Sequence, residues 1–135
     1  MHVTGACHCG AIRYEAEVEP AEVNVCHCHD CQRLTGAAFR ISVTAEPGSF
    51  RLLAGKPRVY LKTAESGRIR EQAFCEQCGS PIYATSPGPE PRVYNVRVGT
   101  IDQREALRPC RQIWFRSRLP WLEEIAEAPT LETGG

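Results

Sequence analysis

Seven of the eight cysteines in this 135-residue chain fall in three tight groups: Cys7-His8-Cys9, Cys26-His27-Cys28-His29-Asp30-Cys31 and Cys75-Glu76-Gln77-Cys78. Cysteines one or two residues apart pair with each other only under strain, but their thiolates can converge on one metal ion. Cys7 and Cys9 with Cys75 and Cys78 supply four thiolates, the donor set of a closed tetrahedral zinc site. Gly79 follows the last of these ligands, where the backbone must turn tightly around the metal. An ion tying residue 9 to residue 75 removes loop entropy from the unfolded chain, so this zinc is expected to be structural.

The middle group offers three thiolates, Cys26, Cys28 and Cys31, and no obvious fourth, the pattern of a zinc with an open coordination position. Three thiolates leave the centre near a charge of −1 by formal count, which makes it a weak source of hydroxide. An incoming thiol, in contrast, could bind as fourth ligand and ionise, so the site should prefer sulfur compounds. Two other readings stay open. His27 or His29 could close the tetrahedron and make a second structural site, although strand alternation aims both away. One of the three cysteines could also act alone as a nucleophile. Cys110, after Pro109 and before the apolar Ile113-Trp114-Phe115, is expected to be a small buried hydrophobe.

Composition narrows the partners. Sixteen basic and sixteen acidic side chains give a formal charge of +0, which argues against capture of nucleic acid or an anionic membrane by field alone. No run of basic residues or long apolar stretch alters that. The start, from Met1 to Cys7, lacks the charged and apolar regions of a secretory leader. A cytoplasmic location is therefore expected, where clustered cysteines mean metal more often than disulfides.

The elements that must hold these groups read as β-strands. Ile12, Tyr14, Ala16 and Val18 alternate with Arg13, Glu15, Glu17 and Glu19, leaving one wet face. Phe39-Ile41-Val43 and Tyr94-Val96-Val98 alternate likewise, and shorter apolar pieces stand at 50–53, 59–61 and 110–115. Short helical turns are expected over Asp30–Leu34, stopping before Gly36, and over Pro120–Ile125. The Pro87–Pro91 stretch reads as a stiff loop, and Arg68-Ile69-Arg70 and Arg116-Ser117-Arg118 as solvated faces. The expected fold class is mainly β, a single-domain antiparallel β-sheet assembly over residues 1–128, with a frayed tail at 129–135.

Gly5-Ala6-Cys7-His8-Cys9-Gly10 with Tyr14, the run Cys26 to Phe39, and Phe74-Cys75-Glu76-Gln77-Cys78-Gly79-Ser80-Pro81 together resemble the glutathione-dependent formaldehyde-activating enzyme family, also called the centromere protein V/GFA domain family. Val98 to Asp102 and Arg118 to Trp121 are similar to it too, so the resemblance covers nearly the whole chain. It implies an Mss4-like fold, a structural zinc on Cys7, Cys9, Cys75 and Cys78, and a catalytic zinc on Cys26, Cys28 and Cys31. It also implies a carbon–sulfur lyase that forms or cleaves an adduct of glutathione, or a similar thiol, with formaldehyde or another small carbonyl compound. Beside the ligands, Asp30, His29 and Arg33 could take the thiol proton, steady the adduct oxygen or hold a substrate carboxylate. Each could equally be a solvated or ligand-orienting residue. Thr35 and Gly36 would shape the turn. Where the family often has a histidine before the isoleucine of its last long strand, this chain has Gln112, which cannot act as acid or base at neutral pH. The competing class is a non-catalytic, zinc-stabilised binding module with both sites closed; a methionine-sulfoxide-type redox enzyme is a third, resting on fold analogy.

Overall fold

The structure, a computed structural model, describes residues 1–134. Nine strands, β1 (His2–Ala6), β2 (Arg13–Cys26), β3 (Arg40–Ala45), β4 (Arg51–Ala54), β5 (Arg58–Thr63), β6 (Ile69–Phe74), β7 (Pro81–Thr85), β8 (Tyr94–Arg97) and β9 (Arg111–Ile113), surround one short helix, α1 (His29–Thr35). The strands run in the order β1-β2-β3-β8-β7-β6-β5, with β4 and β9 also paired to β2. Pairing is antiparallel except for β9, which lies parallel to β2. The mainly β, antiparallel expectation holds, and the topology is compatible with an Mss4-like fold.

Strand β2 is the organising element. Its expected alternation buries Tyr14, Ala16 and Val18, but the strand continues to Cys26 instead of stopping near Glu19. The register shifts between Val18 and Val23, around Pro20, which has no N–H to give a ladder. The shift lets one strand serve both halves of the sheet: residues 13–17 pair with β1 and residues 23–26 with β3. Cys26 is therefore delivered to the far end of a rigid element.

The core lies under both halves of β2. The Tyr14 ring stacks on Phe50 at 5.2 Å, and Phe50 stacks in turn on Tyr94 at 4.8 Å. Gly5 sits opposite Tyr14 across the β1–β2 pair, and a Cβ added there would lie 2.2 Å from Tyr14 Cζ and 2.6 Å from the Thr100 carbonyl. One of those atoms is backbone, and the ring is held by a 2.7 Å hydrogen bond between Tyr14 Oη and Thr100 Oγ1, so neither can yield. Gly5→Ala should cost about 3 kcal/mol or more, read as a lower denaturant midpoint at unchanged slope.

The larger half of the sheet has two unlike faces. Val43, Val96, Tyr83 and Ala73 look into the core. By the strand registers, Cys26, Arg40, Ser42, Arg97, Gln72 and Tyr60 share the opposite face, with Arg70 and Lys62 in continuation. Cationic side chains thus line the sheet beside the three-cysteine group.

Several expectations are corrected. Arg70 is half-buried in β6, bonded to Ser86 Oγ at 2.8 Å and Asn95 Oδ1 at 2.7 Å, and is not a solvated side chain. Cys110 is exposed, its Sγ touching the Pro20 carbonyl at 3.2 Å, because β9 runs at the surface beside β2. The C-terminal helix is a 3₁₀ segment over Leu122–Glu127, two residues later than expected. Residues 129–134 are exposed and form no helix or strand; the last residue of the expected tail, Gly135, lies outside the described residues.

Candidate metal centres

Two loops of matching design build the first centre. After β1, the Gly10 N–H donates to the Cys7 carbonyl at 3.1 Å; between β6 and β7, the Gly79 N–H donates to the Cys75 carbonyl at 2.7 Å. Both glycines are left-handed, with φ of 81° and 78°, a conformation that costs a side-chain-bearing residue energy. The loops are stitched together by the His8 N–H donating to Ser80 Oγ at 3.0 Å. Cys7, Cys9, Cys75 and Cys78 consequently bring four Sγ atoms within 4.8 Å of one another. The Cys7–Cys9 and Cys9–Cys75 sulfur separations are 3.6 Å and 3.7 Å. Four sulfurs about 2.3 Å from a tetrahedral zinc would stand about 3.8 Å apart, so the residues fit such an ion. The hydroxyl and backbone N–H of Ser80 draw the Cys78 thiol down to about 5, favouring the ligating thiolate.

The second centre joins β2 to α1. Cys26 closes the strand, Cys28 is the helix N-cap whose Sγ accepts from the Cys31 N–H at 3.3 Å, and Cys31 lies in the first turn. Gly36, left-handed, ends the helix with its N–H on the Gln32 carbonyl. The three thiols lie within 4.8 Å of one another and are each half-buried. Their hydrogen bonding is unequal: Cys26 and Cys28 hold the Cys31 thiol down at about 5, assisted by the Arg40 guanidinium, while Cys26 is pushed well up.

Neither nearby histidine joins this cluster. His29 is exposed. His27 is fully buried, edge-on to Phe39 and Phe115, and its Nε2 meets Gln112 Oε1 at 2.7 Å. Gln112 thus has a positioning contact with His27. Asp30 is ion-paired with Lys62 Nζ at 3.1 Å, and both line a cavity of about 210 Å³ together with Cys28 and His29. Arg33 is exposed in the last helical turn.

Sequence reasoning missed Arg40 and Arg97. Arg40 neighbours Cys31 and opposes Cys26 across the β2–β3 pair. Arg97 donates to Ser42 Oγ at 2.8 Å and Gln72 Oε1 at 2.6 Å. Burial, with Arg40 nearby, pushes Arg97 down to about 9. Both are buried, and the Nε of each lacks a hydrogen-bond partner. The one available signal was the placement of arginines beside Ser42 and Cys26 in register, which needs the strand pairing to be known.

Fold and site define a β-sheet protein with two cysteine centres able to hold metal ions. Residues 2–117 match the model of the family described as glutathione-dependent formaldehyde-activating enzyme, and the chain belongs to that family. A Halomonas elongata protein provisionally named a glutathione-dependent formaldehyde-activating enzyme is 26% identical over 129 residues, covering 91% of this chain and 81% of the relative. A crystal structure of a Rhodobacter sphaeroides protein is similar in fold, with a TM-score of 0.60 and 24% identity, over 81% of this chain and 98% of that one. Among the described residues no helix is long and apolar enough to cross a membrane.

Proposed function

We propose that the protein is a zinc-dependent carbon–sulfur lyase that joins glutathione, or a similar thiol, to formaldehyde or another small carbonyl compound, and runs the reverse cleavage. The observation that carries this reading is the three-thiol centre with no fourth protein ligand among the described residues, bordering a cavity. The family and the name of the Halomonas relative support it.

Cys7, Cys9, Cys75 and Cys78 would hold a structural zinc, and Cys26, Cys28 and Cys31 a catalytic one. The catalytic ion, when bound, would lower the pKa of an incoming thiol and hold its sulfur as a thiolate. The sulfur lone pair forms the S–C bond, the carbonyl π pair moves to oxygen, and the proton lost by the thiol ends on that oxygen. Within the cavity, Lys62 is the cation placed to steady the developing oxyanion, held there by Asp30. Asp30 and His29 are the polar groups available to pass the proton. Arg33 is assigned no part, being exposed at the other end of the helix. A cytoplasmic setting, which keeps thiols reduced, suits this chemistry.

The test is cobalt substitution. Titrating glutathione into the cobalt-loaded protein should change the thiolate-to-metal band of the three-thiol centre. A spectrum unmoved by saturating thiol would favour the closed, non-catalytic module.

A further inference from the structure

A cavity of about 350 Å³, walled by Leu34, Tyr60, Phe74 and Pro81 and bordered by Gln72, reaches the second centre through Arg40, which neighbours Cys31. Its walls are mostly hydrocarbon, so the arginine is the only cation among its lining residues. The size is that of a small-ligand pocket, which lies at roughly 300–1,000 Å³ in proteins generally.

The charge around this cavity does not balance. Arg40 and Arg97 are buried, and among the described residues neither makes a salt bridge to a carboxylate. The hydrogen-bond partners of Arg97 are neutral, Ser42 and Gln72, and each guanidinium keeps an unpartnered buried Nε. Three thiolates around a divalent ion carry a single net negative charge, whereas the two guanidiniums carry two positive ones. One positive charge is left without a counter-ion in a place where burial makes that costly. Arg70, half-buried on the same sheet face and bonded to neutral Ser86 and Asn95, adds to the excess.

From this we infer that the cavity receives a carboxylic acid with an apolar body, its carboxylate on Arg40 and its hydrocarbon against Leu34, Tyr60 and Phe74. A guanidinium offers five N–H donors in a planar fork, so one edge can face Cys31 while another meets a carboxylate in paired hydrogen bonds. Glutathione already carries carboxylates, so what the cavity adds is an acid borne on an apolar body, a property that thiol addition by itself does not require. The inference goes beyond the lyase reading and can fail separately from it, because a sulfur-free acid suffices to test it.

The probe is 3-phenylpropionate, compared with 3-phenylpropan-1-ol and with acetate, titrated calorimetrically into the metal-loaded full chain. The acid should bind at least about 10-fold tighter than either control, because the alcohol lacks the charge-assisted bidentate contact and acetate lacks the apolar body. Arg40→Gln should reduce the preference for acid over alcohol to within about 3-fold, and Tyr60→Ser should weaken acid and alcohol alike. In wild-type protein labelled with ¹⁵N-arginine, the Arg40 Nε–H resonance should move on adding the acid and not the alcohol, a readout that needs no variant to fold. Equal affinity for acid and alcohol, an unmoved Arg40 resonance at saturation, or acetate binding as tightly as phenylpropionate would each overturn the proposal. The cobalt band with glutathione reports on the lyase reading alone.

Discussion

Cys78→Ala, or removal of metal by a strong chelator, is expected to unfold the whole domain. The four-thiol centre joins the loop after β1 to the β6–β7 turn, across a sequence separation of 66 between Cys9 and Cys75. A cross-link of that span removes on the order of 4 kcal/mol of unfolded-chain entropy on the relation used for disulfides. Binding of a structural zinc by small folds adds folding free energy on the order of 10 kcal/mol, set against a total stability of about 5–15 kcal/mol for an ordinary domain. Few other contacts hold these two loops together: the His8–Ser80 hydrogen bond is one. Cys7 and Cys75 are also buried members of the core cluster, so losing the ion leaves like-charged or unpaired sulfur inside the core. The result should be loss of near-ultraviolet circular dichroism and of the cooperative melting transition in the chelated protein. A chelated protein that melts at the original temperature would remove the structural role.

What was legible in the sequence follows from what depends on spacing alone. Metal ligands two or three residues apart stay together in any local fold, so both cysteine sets could be grouped before any strand was paired. Strands with one wet face, such as the Tyr14 end of β2 and the Val43 and Val96 strands, were legible for the same reason. β7 was not: four of its five residues are buried, so period-two alternation is absent. β6 was masked because its face carries Arg70 and Gln72 toward a polar interior, which inverts the usual meaning of a charged strand position.

The arginines failed to stand out for a related reason. Arg40 and Arg97 each sit on strands whose other face is core, and a charged residue at that parity ordinarily faces water. Only the registers Cys26 to Arg40 and Ser42 to Arg97 bring them to the thiols. Gln112 likewise read as a lost acid or base; the parallel pairing of β9 with β2 brings its strand beside that of His27, where it meets the ring. Cys110 misled because apolar neighbours in sequence suggest burial, while β9 is a three-residue strand with all of its residues exposed.

Cys31→Ala should have the opposite signature to Cys78→Ala, abolishing adduct formation and leaving the fold. The helix that carries Cys31 contributes no buried residue to the core. Its position is fixed by Gln32, whose Nε2 donates to the His27 carbonyl at 2.8 Å and the Ser117 carbonyl at 3.0 Å, and by the Cys31 N–H on Cys28 Sγ, a backbone donor the substitution keeps. The loss in stability is that of one half-buried thiol and its contact with Arg40, about 1–2 kcal/mol or a few degrees of melting temperature. Chemistry is affected far more, because two remaining thiolates neither hold the ion in the same geometry nor give the same charge at the sulfur-binding position. Adduct formation should fall to the rate of the protein-free reaction, with bound metal dropping from two equivalents per chain toward one by metal analysis. Melting and turnover measured on one preparation decide it. Equal collapse of both in Cys31→Ala and Cys78→Ala would mean that the two centres do not divide the work between fold and chemistry.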